Sequence, residues 1–243
     1  MAHPRTEAAF TRTELVVVIA VLVVLALFLI PACQTANQKS KRLSCVCNLK
    51  VMGLAYRIWS NDNRDQYPAN APLTNGGWSN LLSSANASTY VWTNYATMAN
   101  EMGQNLKILI CPTDERKPAR SFSTLANTNI SYFVGVNAND NYPQSILGGD
   151  RNLGPGTKPD PEYGYSPANG RGNDVIVNGP VCWSLKMHSR GNPAGAGNIL
   201  LGDGSAQHVT SGNLNQNWLK NALTNNAASS KETNSPGMRL IFP

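Results

Sequence analysis

Residues 9–38 read AFTRTELVVVIAVLVVLALFLIPACQTANQ, and the fold turns on this stretch. Sixteen apolar residues run from Leu15 to Ile30 before Pro31. No charge follows Glu14 until Lys39, which leaves 24 uncharged positions. As a helix these reach roughly 36 Å at about 1.5 Å per residue, enough for a ~30 Å hydrocarbon core. The strictly apolar part covers only about 24 Å, so the turns from Pro31 to Ala36 complete the span. Glu14 stands at the leading edge. A carboxylate there costs on the order of a few kcal/mol unless it is paired, so it marks function.

Arg5 and Arg12 precede the apolar run; Lys39, Lys41, Arg42 and Lys50 follow it. Taken alone, the excess of cations on the far side places the C-terminal side in the cytoplasm. Other readings of the segment stay open. A cleaved secretory signal fits poorly with Glu14 directly before the core. Ile30-Pro31-Ala32-Cys33 is similar to a lipobox with its lipidated cysteine. A plain single-span anchor needs no partner for Glu14.

The arrangement resembles the N-terminus of type IV pilin-like proteins, the pilins and pseudopilins. Ala9, Phe10, Glu14 and Pro31 sit at that family's spacings, with two departures: Gly is usual where Ala9 stands, and apolar residues where Arg12 and Thr13 stand. The resemblance implies that a prepilin peptidase cuts between Ala9 and Phe10 and methylates the new amine. It also implies an exported C-terminal head, and helices that bundle in the membrane with Glu14 neutralising a neighbour's terminal amine. Such a pairing would fix axial register, because an unpaired buried carboxylate is expensive.

Further stretches resemble a pilin-like family of planctomycete and verrucomicrobial bacteria. These are Ser44-Cys45-Val46-Cys47-Asn48-Leu49-Lys50, Cys111-Pro112-Thr113-Asp114, Ile130–Gly135, and Gly149-Asp150-Arg151-Asn152. His188 followed by Asn198–Gly204 is similar to that family's His…Asp-Gly signature, with His188, Asp203 and Gly204 as its residues. The implied architecture is α+β: a long N-terminal α-helix, half in the membrane and half in the head, with a small antiparallel β-sheet. The implied organisation is a leader at 1–9, a transmembrane and assembly half-helix at 10–38, and an exported head at 39–243 that includes helix 39–60. The implied localisation is the bacterial inner membrane, single-pass, with the head in the periplasm or at the cell surface.

Composition suits such a head. The chain is 42% hydrophobic, partly spent in the anchor, and only 14% charged. Asn, Ser, Gly and Pro are abundant after the anchor, which favours turns and short strands over a helical bundle. The net charge of +6 is scattered, with no long basic run beyond Lys39–Arg42. A collar facing headgroups explains that run better than nucleic acid binding.

Between residues 39 and 60 two apolar stripes share one helix. Leu43, Cys47, Val51, Leu54 and Ile58 form one; Cys45, Leu49, Met52, Tyr56 and Trp59 form the other, nearly opposite. A helix apolar on two sides is gripped on two sides, either by a head that wraps it or by a neighbouring subunit that covers the second face. Asn61–Asp65 and Pro68 end it. Beyond it, Tyr95–Met102 reads as a short helix, Leu106–Ile110 and Ile130–Val136 as strands, and 153–174 as a long loop. Ile199–Leu201 and Ala206–Thr210 flank a type I′ hairpin at Asp203-Gly204. Leu214–Leu223 reads as an amphipathic helix with Trp218 inward, and Met238–Phe242 as a last strand.

Five cysteines stand at 33, 45, 47, 111 and 182. In an oxidising compartment such thiols pair. Cys45 and Cys47 project to different sides of a helix, so each seeks its own partner: Cys45 with Cys111, and Cys47 with Cys182. Reduced, buried cysteines are the alternative. The three histidines are dispersed, no nucleophile elbow occurs, and no enzyme is expected. No cofactor is expected either, calcium excepted: Asp150, Asp160, Glu162 and Asp174 border the long loop, and loop carbonyls could complete a calcium shell. The expected task is structural, as a subunit of a pilus-like or type II secretion filament. Its partners would be prepilin peptidase, other pilin-like subunits and the lipid bilayer. The alternative is an envelope-anchored binding protein, single-span or lipoprotein, with no filament role.

Overall fold

The computed structural model describes residues 11–84, 87–167, 169–189, 192–223 and 237–243. The proposed leader and its Ala9-Phe10 junction lie outside these residues. The chain divides into two units, Met1–Ser40 and Lys41–Pro243. Helix α1 (Arg12–Asp62) contributes to both.

Within the first unit the run of α1 from Leu15 to Ile30 is apolar and exposed, with Leu15 at 55% and Phe28 at 74%. It is long and apolar enough to cross a membrane. Pro31 falls inside it.

Within the second unit the two stripes of α1 have opposite fates. Cys45, Leu49, Met52, Tyr56 and Trp59 are buried, whereas Leu43, Val51, Leu54 and Ile58 are exposed. Cys47 is exposed with the second group. The helix stops where the Asn/Asp-rich run begins: Asn63 Nδ2 reaches back to the Trp59 carbonyl, and Arg64 and Asp65 take left-handed φ values of 59° and 57°.

The buried stripe lies against a six-stranded antiparallel sheet in the order β4-β8-β1-β2-β6-β7. Its strands are β1 (Tyr132–Gly135), β2 (Ile146–Asp150), β4 (Asn173–Val177), β6 (Ala196–Leu201), β7 (Ala206–Thr210) and β8 (Met238–Phe242). Alternate residues divide between two cores. Tyr132, Val134, Leu147, Leu200 and Ile241 join the buried face of α1. Phe133, Ile146, Ile199, Leu201, Leu240 and Phe242 face the other way, with Trp183, Leu214 and Leu219. The chain is therefore α+β, with a sheet covered on both faces.

Several elements differ from their sequence reading. Leu106–Leu109 is a 3₁₀ turn and not a strand, because the Asn105 side chain accepts the Lys107 amide and starts a helical turn. The short helix after Tyr90 begins earlier than expected, at Val91, and ends at Thr97. The 153–174 segment is not wholly loop. Its first residues form β3 (Leu153–Pro155), paired with β5 (Val181–Trp183), and Asn173 opens β4. Three residues are too few for any periodicity to show. Ser211–Asn213 starts a helix that widens to π geometry over Leu214–Leu219, with Trp218 only half-buried.

The β6–β7 hairpin is also built differently. Gly204 has φ +80°, but Asp203 does not share a positive φ, so the turn is not type I′. Leu200 faces Ala206, and the Gly204 amide bonds to the Leu201 carbonyl at 2.9 Å. The result is a three-residue loop, Gly202-Asp203-Gly204, of the kind that ends in a glycine bulge. This loop docks on α1 at Gly53, where an added Cβ would lie 2.5 Å from the Gly204 carbonyl oxygen. Arg57 Nη1 donates to the Asp203 carbonyl at 3.0 Å, and the Tyr67 hydroxyl donates to the Gly202 carbonyl.

Close approach at Gly53 sets an order of damage. Gly53→Ala gains up to ~1 kcal/mol of helix propensity but overpacks a turn held on both sides, at a cost of ~1–3 kcal/mol. We expect a net loss of about 1–2 kcal/mol. Gly204→Val should cost ~1–3 kcal/mol for its left-handed backbone. Asp203→Asn keeps the acceptor for the Ser205 amide (2.8 Å) and should stay within about 0.5 kcal/mol. Thermal melts of the full chain in detergent rank the three; equal damage from Asp203→Asn would assign Asp203 a role beyond the turn.

Candidate functional site

Four segments far apart in sequence meet beneath the buried stripe of α1. Cys45 comes from the helix, Cys111 from the turn after Leu109, Asp150 from the end of β2, and His188 from the 3₁₀ turn Met187–Ser189. Their ligand atoms all lie within 4.8 Å of one another. Cys45 Sγ is 3.2 Å from Asp150 Oδ1, Cys111 Sγ is 3.1 Å from His188 Nε2, and that same nitrogen is 3.6 Å from Asp150 Oδ2. Cys45, Cys111 and Asp150 are each 0% exposed, and the His188 side chain is 2% exposed.

Donors surround these groups. The Tyr132 hydroxyl sits 3.3 Å from Cys45 Sγ, and the Thr113 hydroxyl 3.0 Å from Cys111 Sγ. The Asn198 amide donates to Asp150 Oδ2 at 2.7 Å. Behind His188 stands His208, ring edge to ring face at 6.3 Å between centroids. Arg42 Nη1 lies 3.0 Å from His208 Nε2 and can only donate, so His208 accepts there and carries its proton on Nδ1, facing Asn198 Oδ1 at 3.0 Å.

Burial dominates the electrostatics. It pushes the Asp150 carboxyl up to about 7, against the pull of the Cys45 and Asn198 hydrogen bonds. Burial likewise raises the Cys45 thiol well above its usual range, with Cys111 and Asp150 adding to the effect. His188 is lowered to about 4, first by burial and then by His208 and Arg42. The imidazole is thus neutral near pH 7.

A second buried layer adjoins the first along the same two stretches. Three residues past Cys111, Asp114 meets Arg151, the neighbour of Asp150, through two bonds: Nε to Oδ2 at 2.7 Å and Nη2 to Oδ1 at 2.8 Å. The Arg151 guanidinium also lies 3.4 Å from the Tyr163 ring centre. Burial pushes the Asp114 carboxyl up, but the bonded Arg151, with the Ser131 hydroxyl and the Arg116 charge, holds the group below its usual range. Cys-Pro-Thr-Asp and Gly-Asp-Arg-Asn therefore meet twice, once where Cys111 and Asp150 both face His188 and once through a full ion pair.

The cysteines do not pair as expected: all five are free thiols. Cys45 and Cys111 are brought together but remain unbonded, with an acid beside the first and an imidazole beside the second. The Cys47–Cys182 pair is overturned by position. Cys47 is on the exposed stripe of α1, while Cys182 is buried in β5 with its thiol donating to Ser211 Oγ at 3.2 Å. Cys33 is exposed.

Of the four calcium candidates only Asp150 joins the convergent group. Asp160 accepts the Glu162 amide at 2.7 Å, Glu162 lies 3.4 Å from Lys186 Nζ, and Asp174 is bound by Arg239 at 2.6 Å. The His…Asp-Gly residues separate: His188 is in the cluster, and Asp203-Gly204 form the turn on Gly53. Glu14 has an unforeseen use. It closes a capping box, accepting the Thr11 amide at 2.8 Å and the Thr11 hydroxyl at 2.7 Å. The Thr-x-x-Glu spacing was the signal for that. The cluster itself had a subtler one, since each of its members sits in one of the stretches singled out above.

Removing one member of the Asp114–Arg151 pair should be severe. Asp114→Asn leaves a guanidinium buried without its counter-charge, and a loss of ~3–5 kcal/mol is expected in denaturant melts; a loss below about 1 kcal/mol would place the pair effectively in water. Comparison with protein-family models, curated proteins and solved structures gives no match, so the functional reading rests on these residues alone.

Proposed function

We propose that this chain is a non-enzymatic, pilin-like structural subunit, anchored by its N-terminal helix and assembling with copies of itself or related chains. The observation that carries this reading is the second apolar stripe of α1. Leu43, Val51, Leu54 and Ile58 are 41–64% exposed in the head unit, with Cys47 among them. Their spacing of three and four residues makes one continuous seam, and a seam of this kind is stable when another helix covers it. A second copy supplies that helix with a matching stripe. In the other unit the uncharged, exposed run supports insertion in a bilayer, in keeping with an inner-membrane location and prepilin processing at Ala9-Phe10.

One observation favours the runner-up, a monomeric envelope-anchored binding protein. Glu14 already has partners in its own helix through the Thr11 capping box, so a lone anchor need not leave it unsatisfied. Charge separates the two accounts. Gln serves as well as Glu in a capping box, yet it cannot neutralise an amine.

Cys47 provides the readout, being placed on the proposed seam. In a Cys33→Ser background, mild oxidation of membranes should join neighbouring chains through Cys47, and Leu54→Glu should abolish the product. Glu14→Gln and Glu14→Ala should both reduce the crosslinked multimers at least about tenfold, the effect of losing ~1.4 kcal/mol of pairing, while membrane insertion persists. Multimers unchanged in Glu14→Gln would reduce Glu14 to a helix cap. A wholly monomeric Cys47 would favour the tether. Mass of the mature N-terminus gives an independent reading: methylated Phe10 for the subunit, lipidated Cys33 or intact Met1 for the alternatives.

A further inference from the structure

We propose that Cys45, Cys111, Asp150 and His188 bind a single zinc ion that fastens α1 to the sheet of the head. The geometry is that of a closed four-ligand site. Zinc bonds of about 2.3 Å to sulfur and about 2.0–2.2 Å to nitrogen or oxygen give tetrahedral edges of roughly 3.3–3.8 Å. Three separations, 3.2 Å (Cys45 to Asp150 Oδ1), 3.1 Å (Cys111 to His188) and 3.6 Å (His188 to Asp150 Oδ2), come within a few tenths of an ångström of these edges, and all four ligand atoms lie within 4.8 Å of one another. Nε2 of His188 faces both Cys111 and Asp150, so one ring nitrogen points into the space the other three donors enclose.

Chemistry selects the ion. Two thiolates, an imidazole and a carboxylate are too soft for calcium or magnesium, which take all-oxygen shells, and they suit zinc. The outer contacts fit anionic ligands: hydroxyls of Tyr132 and Thr113 approach the two sulfurs, and the Asn198 amide donates to the carboxylate. Donors of this kind orient ligands and tune a metal site.

Charge balance is the second argument. Asp114, one motif away, is buried with a guanidinium in bidentate contact. Asp150 is buried just as deeply, and a thiol and an amide donate to it. A divalent cation supplies what Arg151 supplies next door. On binding, the protons of both thiols and any proton held on Asp150 pass to solvent, His188 keeps its proton on Nδ1, and four bonds to the metal form. Nothing is oxidised or reduced. A Cys45–Cys111 disulfide would use two of the four groups and leave a buried acid and imidazole with no role.

The test uses the full chain in detergent, purified with reductant and stripped with a chelator. Cobalt(II) should bind at one per chain, giving a thiolate charge-transfer band and the strong visible bands of a tetrahedral site, and one equivalent of zinc should erase them. Cys111→Ser should roughly halve the charge-transfer band and weaken binding beyond the ~10–100-fold typical of losing an outer contact. Cys33→Ser, Cys47→Ser and Cys182→Ser should leave spectrum and stoichiometry unchanged. Should Cys111→Ser fail to fold, Thr113→Val keeps all four ligands and should weaken cobalt about 10–100-fold. The proposal is overturned if wild type gives no thiolate band, if the band is insensitive to both variants, or if thiol-trapped protein yields a Cys45–Cys111 disulfide. None of these readouts depends on assembly, so a chain that crosslinks through Cys47 yet ignores cobalt fails this inference alone.

Discussion

The structure of the head depends on one face of one helix being covered by a sheet at close range. Leu49, Met52, Tyr56 and Trp59 are at most 5% exposed, and full burial of such side chains is worth on the order of 1.5–3 kcal/mol each. The contact is close because Gly53 presents no side chain to the β6–β7 loop. That loop is in turn held by Arg57 from the same helix and by Tyr67 from the segment after it. Once the helix is placed, Cys45 two turns earlier is carried under β1 and β2, and the polar interior follows from that placement. Covering one face also leaves the opposite stripe without a partner inside the chain. The same constraint thus builds the core and exposes the seam on which assembly is proposed.

The interior polar groups show two solutions to one problem. A buried carboxylate is costly unless its charge is compensated. Asp114 is compensated by a fork-to-fork contact with Arg151, whose ring of contacts extends to Tyr163 and Ser166. Arg116 joins the same region, bonding to the carbonyls of Asn127 and Pro243, and burial lowers it to about 10. Asp150 has no such partner and sits among groups that lose protons to a metal. The two arrangements use adjacent residues of the same two stretches, so a shift in one would misplace the other.

The elements read well from sequence were those with a period or an apolar run. The two stripes of α1 show the period; the strands within Ile130–Val136, Ile199–Leu201 and Met238–Phe242, buried on both faces, were legible instead as short continuous apolar runs. Two short elements were missed, Leu106–Leu109 and Leu153–Pro155, since a 3₁₀ turn capped by Asn105 and a three-residue strand leave no periodic trace. The hairpin failed for another reason. Asp-Gly fits both a two-residue loop and the end of a three-residue loop, and only pairing register separates them. The cysteine pairing was misread through position: Cys47 falls on the exposed stripe and Cys182 inside β5, which no local spacing reveals. Positions 45 and 47 do point apart, as helical geometry requires, but pairing them with 111 and 182 presupposed oxidation. The site was legible only as fragments, because no local spacing links positions 45, 111, 150 and 188.

Two sulfurs at the junction of helix and sheet can be joined in two ways, and the choice changes what the head requires of its surroundings. A disulfide forms and persists in an oxidising compartment, so a head stapled that way folds fully only on one side of a membrane. A metal thiolate forms from reduced sulfurs, and coordination withholds those sulfurs from oxidants. A head fastened by zinc is therefore complete on either side. The cations from Lys39 to Lys50 favour a cytoplasmic head, and the resemblance at the N-terminus favours an exported one. With a metal staple that disagreement concerns orientation alone and no longer stability. Asp150 and His188 bear on that choice: a buried acid beside Cys45 and an imidazole beside Cys111 complete a four-ligand metal site, whereas a disulfide leaves both outside the bond.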